Sequence, residues 1–222
     1  MIIHRTSLSA TLDATAEVFF YRQPLSNTLH EEIAALIINR QCQTGVNAGL
    51  FIPFAAESET KVKLFSGEQL KTTLAHTHIQ LIEAVRILKL LALEGHSVTQ
   101  SILLAEHCME KMCYSNFCAK GECRALTIAY LRYLSLDGTG NSASQISTHL
   151  TNLTNQHDRK GKWGRFPFYM TLLMLTEADN PLAIQELKYA APACKKQQAQ
   201  NWLADPISKR RQEIIVKALA RS

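Results

Sequence analysis

The chain has 222 residues, 46% of them hydrophobic and 19% charged, with 24 Lys and Arg against 19 Asp and Glu for a net charge of +5. Such a composition is too apolar for a disordered polypeptide, is large enough to bury a core, and is too weakly basic to point to nucleic acid by charge alone. No apolar run reaches bilayer length, because residues 81–93 are interrupted by Glu83, Arg86 and Lys89.

Residues 1–10 lack the charged, apolar and small-residue order of a secretory leader. Six cysteines in such a chain read as thiols, and the cytoplasm is the expected compartment.

Residues 1–27 show no sustained period and read as an irregular arm, with a short strand over 17–21. Thr28 and Glu31 have the spacing of a capping box, so a helix is expected to follow with Ile33, Leu36, Ile37 and Arg40 along one side. Gly45, Gly49 and Pro53 then break the pattern. A brief strand is expected at 62–65. A long helix should run from Ser66 to about Glu94, stopped by Gly95, and its second half is apolar on nearly every side.

Further helices are expected from Ser97 to near Cys113, over 122–135 and over 142–155, the last with Ile146, His149, Leu150 and Leu153 on one face. Pro167, Asn180-Pro181 and Asp205-Pro206 mark three more starts, the last two as an N-cap followed by proline at the first helical position. The expected fold class is all-α, with about eight helices in helical hairpins. No proline- or serine-rich linker divides them, so 28–222 reads as one helical core and the chain as a single domain.

Three features bear on chemistry. Cys108, Cys113, Cys118 and Cys123 are each five residues apart, with His107 beside the first. Thiolates suit zinc or an iron–sulfur cluster, and a turn at 113–123 would bring Cys113, Cys118 and Cys123 together. Against this, a continuous helix would spread residues five apart around its circumference, and the usual motifs contain a tighter Cys pair. Cysteines are also common as small buried hydrophobes.

The segment 156–169 gathers His157, Arg159, Lys160, Lys162 and Arg165 with Trp163, Phe166, Phe168 and Tyr169. Aromatic stacking and phosphate contacts would suit nucleic acid. An aromatic plug that anchors a loop explains the same residues more simply. The tail from Ser208 carries Lys209, Arg210, Arg211, Lys217 and Arg221, an ordinary solvated helix face. Asp137-Gly-Thr-Gly140 reads as a helix break, and His76 and His78 have poor geometry for a shared metal.

Gln156-x4-Gly161-x-Trp163 is similar to the Q-x-G-x-W element of the squalene cyclase and prenyltransferase repeats. Asn39-Arg40-Gln41-x3-Gly45, followed by Gly49-Leu50-Phe51, resembles a degenerate second copy. The resemblance implies an α/α toroid in which a helix end, a glycine turn and a packed aromatic recur, with Gln41 and Gln156 satisfying free backbone groups. The acidic motifs of those enzymes, Asp-x-Asp-Asp and Asp-Asp-x-x-Asp, do not occur in this chain, which is also short for six helix pairs.

The reading that follows is a helical binding or scaffold protein with an apolar cavity, its ligand a small apolar molecule or a protein, and Trp163, Arg165, Phe168 and Tyr169 near the rim. One alternative is a metalloprotein with zinc or iron–sulfur ligation at Cys108, Cys113, Cys118 and Cys123. Another is a prenyltransferase- or cyclase-like enzyme drawing carboxylates from Glu106, Glu110 and Glu122. No residue is assigned a catalytic role. A homo-oligomer would complete a short toroid.

Overall fold

A computed structural model describes residues 2–57, 63–115, 122–137, 139–200 and 202–222. The described residues form nine α-helices: α1 (Leu8–Phe20), α2 (Asn27–Ile38), α3 (Thr73–Leu91), α4 (His96–Glu110), α5 (Glu122–Leu134), α6 (Gly140–Thr154), α7 (Phe168–Glu177), α8 (Pro181–Gln198) and α9 (Pro206–Arg221). Between the described residues the extended pairing amounts to isolated bridges, so the fold is all-α. None of these helices is long and apolar enough to cross a membrane.

Asn180 and Asp205 cap α8 and α9 as their sequences require, each accepting from the amide two residues on at 2.9 and 3.0 Å. Elsewhere the boundaries shift. The irregular arm and short strand are replaced by α1, whose cap is Ser7 and whose Leu8, Leu12, Ala16, Val18 and Phe20 are buried. Thr11 and Thr15 sit among them and return their hydroxyls to backbone carbonyls, which masks the helical period in the sequence. For α2 the cap is Ser26 instead of Thr28, and α3 begins at Thr73 on Thr72. That helix ends at Ala92, left-handed at φ 50°, three residues before Gly95.

The strand expected at 62–65 is not formed at its described residues: Lys63 makes a single bridge to Gln69. Residue 62 lies outside the described residues.

The chain divides into two compact units, 1–65 with 69–113 and 66–68 with 114–222. In the first, α1, α2 and α4 pack on α3, which is buried continuously from Ile79 to Leu88. Burial includes Glu83 and Arg86, an i,i+3 pair at 3.7 Å, so these two charges face protein and not water. In the second, α5, α8 and α9 pack on α7, which is buried at Phe168 and throughout 170–175. Arg132 of α5, 1% exposed, clasps Glu177 of α7 at 2.6 and 2.9 Å. Arg221 closes the C-terminus of α7 by donating to the Thr176 and Ala178 carbonyls.

The two units share a plan. In each, the first helix packs on the third and the second on the fourth: α1 on α3 and α2 on α4, then α5 on α7 and α6 on α8. After the second helix the chain makes a bridged loop, Gln41 with Phe51 and His157 with Trp163, and the closing aromatic is buried at 2% and 1% exposure. A glycine in that loop touches the fourth helix. Gly49 lies against Leu104 and Cys108, and Gly161 against Tyr189 and Ala193, at the same distances from the starts of α4 and α8. The helical core is therefore a duplicated four-helix arrangement, with α9 added to the second unit.

Candidate functional site

The loop from Asn155 to Pro167 is shaped by local chemistry. Asp158 accepts from the Lys160 and Lys162 amides at 2.7 and 2.9 Å, turning the chain back on itself. Gly161 sits at φ 80°, and Arg159 is also left-handed at 64°. Slight burial raises the Asp158 pKa, but these amides, the Tyr189 hydroxyl and the charge of Lys160 outweigh it and hold the carboxyl below its usual value.

The reversal delivers Trp163 and His157 to one buried carboxylate on α8. Glu186 accepts from Trp163 Nε1 at 2.6 Å, from His157 Nε2 at 2.7 Å and from Thr154 Oγ1 at 2.7 Å. The His157 ring, about a quarter exposed, stacks on Tyr189 with centroids 3.5 Å apart. Tyr189 in turn accepts from the Arg159 amide at 3.0 Å. In the first unit the same place is filled without charge: Gln41 Nε2 donates to the Ser101 carbonyl at 2.9 Å and to that of Gly49 at 3.3 Å. Ser101 and Glu186 each lie five residues beyond the start of their helix. His157, one residue beyond Gln156, is thus the counterpart of Gln41.

From Trp163 a run of ring contacts leads across the second unit: to Phe168 at 6.1 Å, on to Tyr169 at 5.3 Å, and on to Trp202 at 6.1 Å. Lys162 Nζ lies 5.0 Å from the Phe168 ring and the Arg211 guanidinium 4.7 Å from that of Tyr169. Tyr169 donates to Gln197 Oε1 at 3.2 Å, and burial pushes its hydroxyl pKa up against the opposing charge of Arg211. Trp202 is held by its own Nε1, which donates to the Gln197 carbonyl at 3.2 Å. Beyond it opens a groove of about 360 Å³ lined by Gln198, Gln200, Trp202, Gln212, Ile215 and Val216. In the first unit a second groove, about 570 Å³, runs between Ile3, Arg5, Glu32, Leu36, Arg40 and Phe54. There Arg40 is engaged by the Ile52 and Pro53 carbonyls and stacks on Phe54 at 4.4 Å.

Of the residues singled out in the sequence, Trp163 and Phe168 are buried, Tyr169 is half-buried, and Arg165 is exposed. Cys108 and Cys113 belong to the first unit and Cys123 to the second. Cys118 lies outside the described residues. The Cys108 thiol donates to the Ala48 carbonyl at 2.8 Å beside Gly49, and burial raises its pKa, the behaviour of a packed thiol. Among the described residues, no three His, Cys, Asp or Glu side chains gather as a metal site would require. His107 pairs with Glu110 at 3.4 Å, and Glu106 with Lys89 at 3.0 Å.

The carboxylates that matter most were not singled out by sequence. Glu57 accepts from the Leu8, Ser9 and Phe54 amides, each at 2.8 Å, and from the Ser7 and Ser9 hydroxyls, closing the free N-terminus of α1. Glu68 does the same for α7, accepting from the Tyr169 and Met170 amides at 3.2 and 3.0 Å. Their partners lie some fifty and a hundred residues away, beyond any local motif. The glutamines of the groove carry a faint signal, the alternation Gln198, Gln200, Trp202. No protein family, no curated protein and no solved structure matches this chain.

Proposed function

We propose that this chain is a helical binding or scaffold protein built from two repeats of the α/α-toroid kind, and that its ligand is recognised on the second unit beside the aromatic run from Trp163 to Trp202. The observation that carries this reading is what occupies three carboxylates, Glu57 and Glu186 buried and Glu68 partly so. Glu57 and Glu68 each close a helix N-terminus, and Glu186 is filled by three donors on a loop. A carboxylate held by such contacts loses them when it takes up a proton, so it serves architecture better than acid–base turnover.

What supports the resemblance to squalene cyclase and prenyltransferase repeats is the twice-used arrangement of helix end, glycine and buried aromatic, although His157 and not Gln156 stands where Gln41 does. The free thiols of Cys42, Cys108, Cys113 and Cys194 fit a reducing compartment such as the cytoplasm.

The test is a ligand panel of uncharged apolar alcohols, allylic diphosphates and short peptides, read by tryptophan fluorescence. Trp163 is enclosed, so Trp202 supplies the responsive signal, and a Trp202→Phe variant serves as the control. The expected result is saturable binding of at least one class with the ligand recovered unchanged. Consumption of an allylic diphosphate would instead favour the prenyltransferase- or cyclase-like alternative. About one zinc, or an iron–sulfur absorption, per chain would favour the metalloprotein.

A further inference from the structure

The groove at Trp202 also carries a statement about its occupant, which rests on the binding reading above. Among the described residues its lining is three primary amides, one indole and two branched aliphatics, with no ionisable side chain. Gln198, Gln200 and Gln212 each offer a donor pair and an acceptor, the complement of a peptide backbone in extended form. Trp202, Ile215 and Val216 supply an apolar wall, and Val216 remains 47% exposed. Leu203, next to Trp202 in the sequence, is 76% exposed. At about 360 Å³ the groove is at the small end of ligand sites, roughly 300–1,000 Å³, and suits a short segment with one or two bulky side chains.

The charge flanking the groove is positive. On α8, Lys195 stands three residues before Gln198, and on α9, Lys209 stands three before Gln212 and seven before Val216. Residues at these spacings share a helix face, so each lysine lies about one turn along its helix from a residue that lines the groove. Both are exposed, and neither forms an ion pair with a described residue. Lys196 is exposed on the same turn of α8, and Glu213 is the neighbouring acid on α9.

The geometry points to a docking site for a short, extended acidic peptide segment that inserts a bulky apolar side chain beside Trp202. The glutamines hold its backbone, and Lys195 and Lys209 meet its acidic flanks.

The probe is a fluorescein-labelled peptide with Leu-Phe at its centre and three Asp or Glu residues on each side, titrated by polarisation. Controls are the same peptide with Ser-Ser at the centre and one with Lys flanks. Saturable binding is expected for the acidic Leu-Phe peptide alone, weakening as salt is added. Reversing both charges, Lys195→Glu with Lys209→Glu, should weaken it about tenfold. Val216→Glu should abolish it, and Gln212→Arg serves as a second groove variant should Val216→Glu not fold. Equal affinity for the Ser-Ser or Lys-flanked peptides, or indifference to all three variants, would overturn the assignment. If acidic peptides fail while an uncharged apolar alcohol changes Trp202 fluorescence, this inference falls and the binding reading stands.

Discussion

Two glutamates, Glu57 buried and Glu68 partly exposed, do the same work under opposite electrostatic conditions. At Glu57 burial raises the carboxyl pKa, but the Ser9 hydroxyl and the Phe54, Leu8 and Ser9 amides outweigh it and leave the group below its ordinary value. Its contribution is present above the unfolded pKa and is lost as pH falls through the folded one. At Glu68 burial wins over Ser66, the Met170 and Tyr169 amides and Arg211, and the pKa is raised. Relative to the unfolded chain the fold therefore holds the Glu68 proton to higher pH, and the cost of ionising it is relieved as pH falls.

Glu57→Gln should cost about 2 kcal/mol at neutral pH. The deficit of Glu57→Gln relative to wild type should shrink only as pH falls below about 4.5, whereas that of Glu68→Gln should grow as pH falls from neutrality toward about 4.5. Urea unfolding at each pH measures both, and parallel trends for the two variants would contradict the assigned environments.

At the scale of elements, caps and glycines decide where helices start and how closely they approach. Asn180 accepts from the Leu182 amide at 2.9 Å and donates to Ser147 Oγ at 2.9 Å, so it caps α8 and ties it to α6. Asn180→Ala should destabilise by about 1 kcal/mol, read as a fall in thermal midpoint with unchanged helix content.

Gly49 is constrained twice, by φ 93° and by a fourth helix so near that a Cβ would lie 2.5 Å from the Leu104 carbonyl oxygen and 2.6 Å from Cys108 Sγ. Because the first of these is backbone, Gly49→Ala should cost about 3 kcal/mol. A loss below about 1 kcal/mol on denaturant unfolding would mean that α4 yields easily and that the loop is not seated as described. Both sites were legible only in part. Asn180-Pro181 is a local signal, whereas Gly49 looks like any loop glycine until α4 is brought against it.

At the scale of the whole molecule, the duplication predicts where disturbance spreads. Gly161, at φ 80° with a Cβ that would lie 2.9 Å from Ala193 Cβ, is the second-unit counterpart of Gly49. Amide exchange followed by mass spectrometry on the two alanine variants should therefore separate. Gly49→Ala should lower protection chiefly in α1–α4, and Gly161→Ala chiefly in α5–α9. Equal loss of protection in both sets of helices would show that the units open together. The plan also accounts for the polar cluster at Glu186: the first unit seats its loop with Gln41 and a carbonyl, so a glutamate hub is a particular solution of the second unit and not a requirement of the arrangement.

The all-α class, the starts of α8 and α9, and the burial of the second half of α3 were determined by the sequence itself, because caps and periodicity act over one or two turns of chain. α1 escaped for a local reason: Thr11 and Thr15 are polar by type yet fully buried, since their hydroxyls are satisfied within the helix. Tertiary structure alone decided which charges face protein, which glutamate closes which helix, and that Trp163 is anchored to Glu186 while Trp202 lines a groove. Hydrogen bonds and close contacts between residues 23 to 102 positions apart depend on how helices are packed, and no short window of sequence contains both partners.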